Sequence, residues 1–390
     1  MSRRPIARSP DLLRLQNEGY DLTIQEGYLL VRDIPYVDSA RIVRRGTLIA
    51  RLDLASDVTI KPKDHVAYWT GTHPCHSDGS LINTITHSAP NQDLARGVHA
   101  DFMFSAKADY RDYHHKVTTY VGRITGEATV IDPEATAQTF PPIPEDPGEG
   151  VFKYVDTASS RAGIAALNAH VAGQRIGIIG QGGSGSYVLD LVAKSAVVEI
   201  HLFDGDVFSQ HNAFRAPGAP TLEQLAARPG KAAHFGAIYS NMRNGIIVHD
   251  TFLDESNMSL IDGLDFVFLC LDRGSAKRAI VERLVANGTP FIEVGMGVLL
   301  SDGHLGGIVR TVMSTPDTRE RAASHISYAD DDGIANEYAT NIQIAELNAL
   351  NAALAVIGWK KFLGIYRDAR HAYYSGYSIA SGEIVNEGLE

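Results

Sequence analysis

Cysteine is nearly absent: Cys75 and Cys270 are the only two in 390 residues. They allow at most one disulfide, and no Cys-x-x-Cys occurs, so a disulfide framework and a four-cysteine zinc site are excluded. No apolar run approaches the ~18 uninterrupted residues of a membrane span. The opening "MSRRPIARSPDLLRLQNEGYDL" has arginines but lacks the apolar centre of a signal peptide. The expectation is a soluble protein of a reducing, cytoplasmic compartment. Excess positive charge is also missing. The 35 Lys and Arg stand against 46 Asp and Glu, for a net charge of -11, so non-specific nucleic-acid binding is not expected.

What is present is ordinary globular composition, 44% apolar and 21% charged, at a length of about two to three domains. A seam falls at "TFPPIPEDPGEG", where four prolines in twelve residues break any regular element. The chain is divided there into an N-terminal domain over 1–140, a linker over 141–150 and a second domain over 151–390. The first reads as a small, strand-rich α+β domain. Its opening "SPDLLRLQNEGYDL" is a helix with Ser9 or Asp11 as cap. "GYLLVRDIPYV", "GTLIARLDL", "DVTIKPKDHVAYWTG" and "KVTTYVGRITGEATVID" read as strands, because β-branched residues cluster between turn formers.

The second domain alternates apolar strand runs with helical patterns. That alternation predicts an α/β fold, a Rossmann-like, mostly parallel sheet with helices on both faces. "RIGIIG", "VVEIHLFDGD", "GIIVHDTF", "DFVFLCLD", "PFIEVGMGV" and "LGGIVRTVMS" are its strands. "SAKRAIVERLVANG" is a helix ending at Gly288. "ATNIQIAELNALNAALAVIGWKKFLG" is a long closing helix whose apolar stripe (Ile342, Leu347, Leu350, Leu354, Ile357, Phe362) reads as core or dimer interface.

Between the first two strands lies Gly-x-Gly-x-x-Gly, at Gly180, Gly182 and Gly185, with Gly183 inside it. Strand before and helix after suit a loop that lets backbone approach a phosphate, and the helix N-terminus offers unpaired N–H groups to the anion. Asp204, at the end of the next strand, can accept hydrogen bonds from ribose hydroxyls. NAD, FAD and ATP all remain open at this point. The continuation "FDGDVFSQHNAFRAPGAPTLEQLAARPGK" adds Asp206, Asn212, Arg215 and Lys231. A dinucleotide fold has no use for this set, whereas a triphosphate carries roughly four negative charges that need cations. "FLCLD" puts Asp272 at the C-terminal end of a strand, where a carboxylate can hold the Mg²⁺ that accompanies ATP. Taken singly, Arg215 and Lys231 are ordinary surface charges and Asp272 is a helix cap; their joint order carries the signal.

"GQGGSGS", "DGDVFSQHNAFR", "GK" and "FLCLD" together resemble the ThiF/MoeB/HesA family and the ubiquitin-activating-enzyme superfamily of adenylyltransferases, over about residues 155 to 365. The Asp-x-Asp-x₅-Asn-x-x-Arg spacing after the loop is intact. The resemblance implies ATP and Mg²⁺ as cofactors, with Asp204 on the ribose, Asn212, Arg215 and Lys231 on phosphates, and Asp272 on the metal. It also implies Arg161, in "ASSRAGIAAL", as an arginine that often reaches into a partner's site, and hence a homodimer. The implied reaction adenylates the C-terminal carboxylate of a ubiquitin-like or sulfur-carrier protein, giving an acyl-adenylate and pyrophosphate, with a conjugating enzyme or another acceptor downstream. A small molecule, a peptide or a tRNA base is the alternative substrate; a nicotinamide- or flavin-dependent oxidoreductase is the second alternative.

No catalytic cysteine follows Asp272, and Cys270, inside an apolar strand, reads as a small core residue. In "GTHPCHSDGSLINTITH", Cys75 lies among His73, His76 and His87. Cys75 is the candidate nucleophile there, a metal site is the alternative, and a polar loop is the plainest reading. The N-terminal domain, lacking a catalytic pattern of its own, is expected to select the substrate or a conjugation partner.

Overall fold

A computed structural model describes residues 3–146, 148, 150–271, 274–328 and 342–389. The chain divides into two compact units, Met1–Asp146 and Pro147–Glu390. No helix among the described residues is long and apolar enough to cross a membrane.

The first unit is built on a six-stranded antiparallel sheet: β1 (Asp21–Gln25), β2 (Tyr28–Val37), β3 (Val43–Arg51), β4 (Val66–Thr70), β5 (Thr86–Ser88) and β6 (Phe102–Ser105), in the order β1-β2-β3-β4-β6-β5. Helices α1 (Pro10–Asn17) and α2 (Tyr113–Ile131) pack on it, and the short helix Arg4–Arg8 adds Ile6 to the same core. Segment α2 corrects the strand expected at "KVTTYVGRITGEATVID". Its β-branched content suggested a strand, but Tyr113, Val117, Tyr120 and Ile124 recur every three or four residues and are all buried. That period bundles them onto Leu29, Val31, Trp69 and Phe104 of the sheet. Asp112 starts the helix by accepting the His115 N–H at 2.7 Å. Tertiary burial outweighs the weak propensity cost of the Val and Thr residues.

The second unit contains an eight-stranded sheet: β7 (Arg175–Ile179), β8 (Glu199–Phe203), β9 (Ile246–His249), β10 (Phe266–Leu269), β11 (Phe291–Ser301), β12 (His304–Ser314), β13 (Ala372–Ser378) and β14 (Ile384–Gly388), in the order β9-β8-β7-β10-β11-β12-β13-β14. The five strands from β9 to β11 are parallel, and the pairs beyond β11 are antiparallel. One face is packed by α3 (Gly183–Val192), α4 (Lys231–Tyr239) and α6 (Ala345–Phe362), through Val188, Phe235 and Trp359 on Ile178, Leu202 and Phe268. The other is packed by α5 (Gly274–Ala286), through Ile280 and Leu284 on Ile179, Phe203 and Leu269. Because side chains alternate along each strand, both faces of a doubly covered parallel sheet must be apolar, and the sequence runs obey this.

Helix α6 departs from expectation in its register. Ile342 precedes it, and residues 339–341 of the expected helix lie outside the described residues. Its buried face is Asn348, Asn351, Ala352, Ala355, Val356 and Trp359, while Ile357 and Phe362 of the expected stripe are 42% and 45% exposed. Asn348 lies on the buried face because α6 comes close to the start of α3 there: at Gly183, the first residue of α3, a Cβ would overlap the Asn348 side chain.

His234 of α4 is buried, with its ring 3.9 Å from that of Phe208. Burial pushes its pKa below the ordinary value. The neutral ring is therefore favoured by folding, so the stability it contributes is present above an unfolded-state pKa of ~6.5 and is lost as pH falls below it. The urea midpoint is expected to drop between pH 7.5 and pH 5.5, and His234→Phe, which cannot be protonated, is expected to drop less. Equal drops in both proteins would exclude His234 as a contributor.

Candidate functional site

At the C-terminal edge of the parallel strands the chain leaves β7 at Gly180. Its φ is +90°, and a Cβ there would lie 2.5 Å from the Cys270 carbonyl. At Gly185 a Cβ would overlap the carbonyl of Gly180, so the first turn of α3 packs directly on the loop. Gly182 differs: nothing lies within 4 Å of the position its Cβ would take. It is the N-cap of α3 and supplies no capping side chain. The leading N–H groups of the helix, with the positive end of its dipole, are thus left without a capping acceptor beside a cavity.

Asp204 follows β8. Its Oδ2 accepts the Gln181 N–H at 2.6 Å and its Oδ1 accepts the Asp206 N–H at 2.8 Å, so one carboxylate ties the strand end to the glycine loop. Burial pushes its pKa up, against the opposing pull of Lys231 and the two N–H donors. Asp206 in turn holds the Lys231 ammonium at 2.8 Å, at the start of α4. Lys231 is only 8% exposed. Asn212 Oδ1 accepts the Ser209 N–H at 2.8 Å, while its buried Nδ2 and the buried Nε of Arg215 have no partner among the described residues. Burial, followed by the charges of Arg215 and Lys231, pushes the His211 pKa down, a sign of the positive field at this end.

Gly180, Gly182, Gly183, Asp204, Asp206, Arg215 and Lys231 all border one cavity of about 760 Å³. The fold brings these separate segments together because the parallel strands β8, β7 and β10 deliver their following loops to one edge. Two wall residues were missed by sequence reading. Asn348 donates from Nδ2 to the Arg215 carbonyl at 3.2 Å and accepts the Ser184 hydroxyl at 3.0 Å, clamping the loop helix to the Asn-x-x-Arg segment. Asn351 lies one turn further along α6. The signal was available: two asparagines at i, i+3 inside the apolar "AELNALNAALAVIG", where an unpaired buried amide is costly.

Asp272 lies outside the described residues. Cys270, expected in the core, is instead partly exposed and lines the cavity. Arg161 closes the short helix Thr157–Arg161, is exposed, and is not part of the wall of its own chain's cavity. Among the described residues no three His, Cys, Asp or Glu side chains form a metal-binding group.

Cys75 does not have the surroundings of a nucleophile. It is fully buried with Val37, Ala128 and Ala135, and its thiol donates to the His73 carbonyl at 3.4 Å. Burial, then Asp38 and Asp78, push its pKa up, which holds it as an unreactive thiol. His76 is turned to Glu127 at 2.8 Å and His73 to Thr86 at 2.9 Å. Cys75→Ala is expected to leave any catalytic rate within about twofold and to lower stability by about 1 kcal/mol; a rate loss beyond tenfold at unchanged stability would restore the nucleophile.

The ThiF family model matches residues 160–369, more than half of the chain. The chain belongs to the ThiF family. The doubly covered sheet and its edge cavity are therefore the ThiF adenylyltransferase fold. A second model, a domain of unknown function (DUF6791), matches residues 10–157. No curated protein matches the chain. Among solved structures, the chain is similar to the microcin C7 biosynthetic enzyme MccB in complex with N-formylated MccA: 17% identity, 60% of this chain, 70% of that one, TM-score 0.47. It is similar to E. coli MccB with ATP at 18% identity, with 60% and 69% covered and a TM-score of 0.45. PaaA is similar at 16% identity, with 58% and 76% covered and a TM-score of 0.43.

Proposed function

We propose that this protein adenylates the C-terminal carboxylate of a ubiquitin-like or sulfur-carrier protein with ATP, forming an acyl-adenylate and releasing pyrophosphate. The observation that carries the reading is the pair of buried donors without partners among the described residues, Asn212 Nδ2 and Arg215 Nε, of which Arg215 belongs to the cavity wall. Buried donors are almost always satisfied, so a missing partner points to a ligand acceptor. With Lys231 adjacent, that acceptor is an anion, and the uncapped start of α3 offers further donors to it.

The donor set fits a nucleoside triphosphate. Asp204, already held by two N–H groups, retains lone pairs for ribose hydroxyls. The backbone at Gly180, Gly182, Gly183 and Gly185 lets phosphates approach. Asn212 would donate a hydrogen bond to a phosphate, while Arg215 and Lys231 would neutralise the leaving pyrophosphate, with Asp206 fixing the Lys231 ammonium. Asp272 would hold Mg²⁺, which supplies charge neutralisation to the same phosphates. The step needs no covalent protein group, only positioning and charge. Arg161 would complete the site of a second copy in a homodimer, and the exposed Ile357 and Phe362 of α6 are available to such an interface. The N-terminal domain, residues 1–140, would select the carrier protein.

Incubation with Mg·ATP, hydroxylamine and a ubiquitin-like protein ending in glycine is expected to convert the terminal carboxylate to a hydroxamate, read by mass spectrometry. Hydroxamate on a small carboxylic acid or a short peptide, but on no carrier protein, would overturn the choice of substrate.

A further inference from the structure

Asn351 carries a second unmet polar atom in the same cavity. It is 1% exposed and lines the wall. Its Nδ2 donates to the Gly295 carbonyl at 3.2 Å, which fixes the amide orientation, since that carbonyl needs a donor. Its Oδ1 is buried and has no donor among the described residues. Gly295 is itself held: a Cβ there would lie 2.6 Å from the Arg310 guanidinium, which grips the buried Glu293 at 2.7 Å together with Lys277 at 2.8 Å. The Asn351 acceptor is thus presented by a rigid wall.

Its position separates it from the nucleotide. Asp204 follows β8, on one side of the glycine loop, while Gly295 lies on β11, two strands away from β7 on the other, which is about 10 Å at the usual strand spacing. Asn348, one turn before Asn351, already occupies the space between Ser184 and the Arg215 carbonyl. Strand β11 also changes character here. Its β10 side is paired only over Phe291–Glu293, whereas its β12 side is paired as far as Ser301. Over Val294, Gly295 and Met296 the strand borders the cavity, and its flank on the β10 side has no strand partner there among the described residues. An open strand flank is the surface that pairs with another extended chain.

We propose that Asn351 is a specificity-determining residue: its Oδ1 accepts the last peptide N–H of a substrate tail that enters extended along the open flank of β11. This rests on the adenylation reading and narrows it to substrates whose carboxylate is joined to a peptide group. A bare small carboxylic acid lacks that N–H, and its own oxygens would meet another acceptor.

The test uses the full chain and two fluorescein-labelled synthetic peptides ending in Gly-Gly-carboxylate. One has the normal last amide; in the other an ester oxygen replaces that N–H. Affinities are read by anisotropy with a non-hydrolysable ATP analogue present, and ATP–pyrophosphate exchange is read in parallel. Wild type is expected to bind the amide roughly tenfold to a hundredfold more tightly than the ester. Asn351→Ala is expected to bind both alike, with its affinity for the ATP analogue within about twofold of wild type. Equal affinities in wild type, or a penalty that persists in Asn351→Ala, overturn the assignment; the first comparison needs no variant to fold. Peptides that bind with the Asn351-dependent preference but support no exchange leave the assignment standing and overturn adenylation. Binding of neither peptide, with nucleotide binding intact, overturns the tail and Asn351 together.

Discussion

Arg215→Ala is expected to lower ATP–pyrophosphate exchange by about a hundredfold to a thousandfold, the cost of removing one preorganised donor from developing charge. The protein should remain folded. The contact that ties this segment to α6 is made by the Arg215 backbone carbonyl, which accepts from Asn348, and the substitution leaves that carbonyl in place. The side chain, by contrast, places a buried Nε without a partner among the described residues next to Lys231. Holding a buried donor without a partner costs stability, so the variant's melting temperature should be equal to or above that of wild type. Lost exchange at retained or raised stability is the signature of a group kept for its ligand. A lowered melting temperature with little loss of exchange would make Arg215 a structural residue and remove the main support for the anion site.

Gly185→Ala is expected to abolish nucleotide binding and to lower the melting temperature by several degrees or prevent folding. The new Cβ would overlap the Gly180 carbonyl, which is backbone and cannot rotate away. Overpacking of this kind costs about 1–3 kcal/mol or more. Gly182→Ala is the informative contrast. Its Cβ enters open space, so the loss of stability should be far smaller than at Gly185. A methyl group on the cavity side of the loop should nevertheless weaken ATP binding, if phosphates approach there. Calorimetry and nucleotide titration of the two variants separate loop architecture from ligand contact. Full ATP affinity in Gly182→Ala would mean that the phosphates lie elsewhere.

The legible parts of this chain are those governed by short-range pattern. Strands β7 and β10 show as apolar runs because both of their faces are covered, and the glycine loop shows because Gly180 and Gly185 admit no side chain. The Asp204 to Arg215 segment is also readable, since its spacing is local. What was missed depends on distant partners. Helix α2 looked like a strand until Trp69 and Phe104 gave its buried face something to pack on. The orientation of α6 was misjudged because leucines normally mark the inner face of a helix, whereas here close approach to Gly183 puts Asn348 on that face. Asn348 stands 164 residues from its partner Ser184, and no local pattern encodes such a pair. The histidines around Cys75 suggested activation, but burial, which sequence does not report, sets the thiol the other way.

The central claim is carboxylate adenylation at the edge cavity, and exchange of labelled pyrophosphate into ATP with Mg²⁺ tests it most directly. The assay compares wild type with Asp272→Ala, each with and without a ubiquitin-like protein ending in glycine. Exchange is expected in wild type, requires the added protein, and vanishes in Asp272→Ala. Tight ATP binding without exchange for any carboxylate substrate, or binding of NAD in place of ATP, would contradict it.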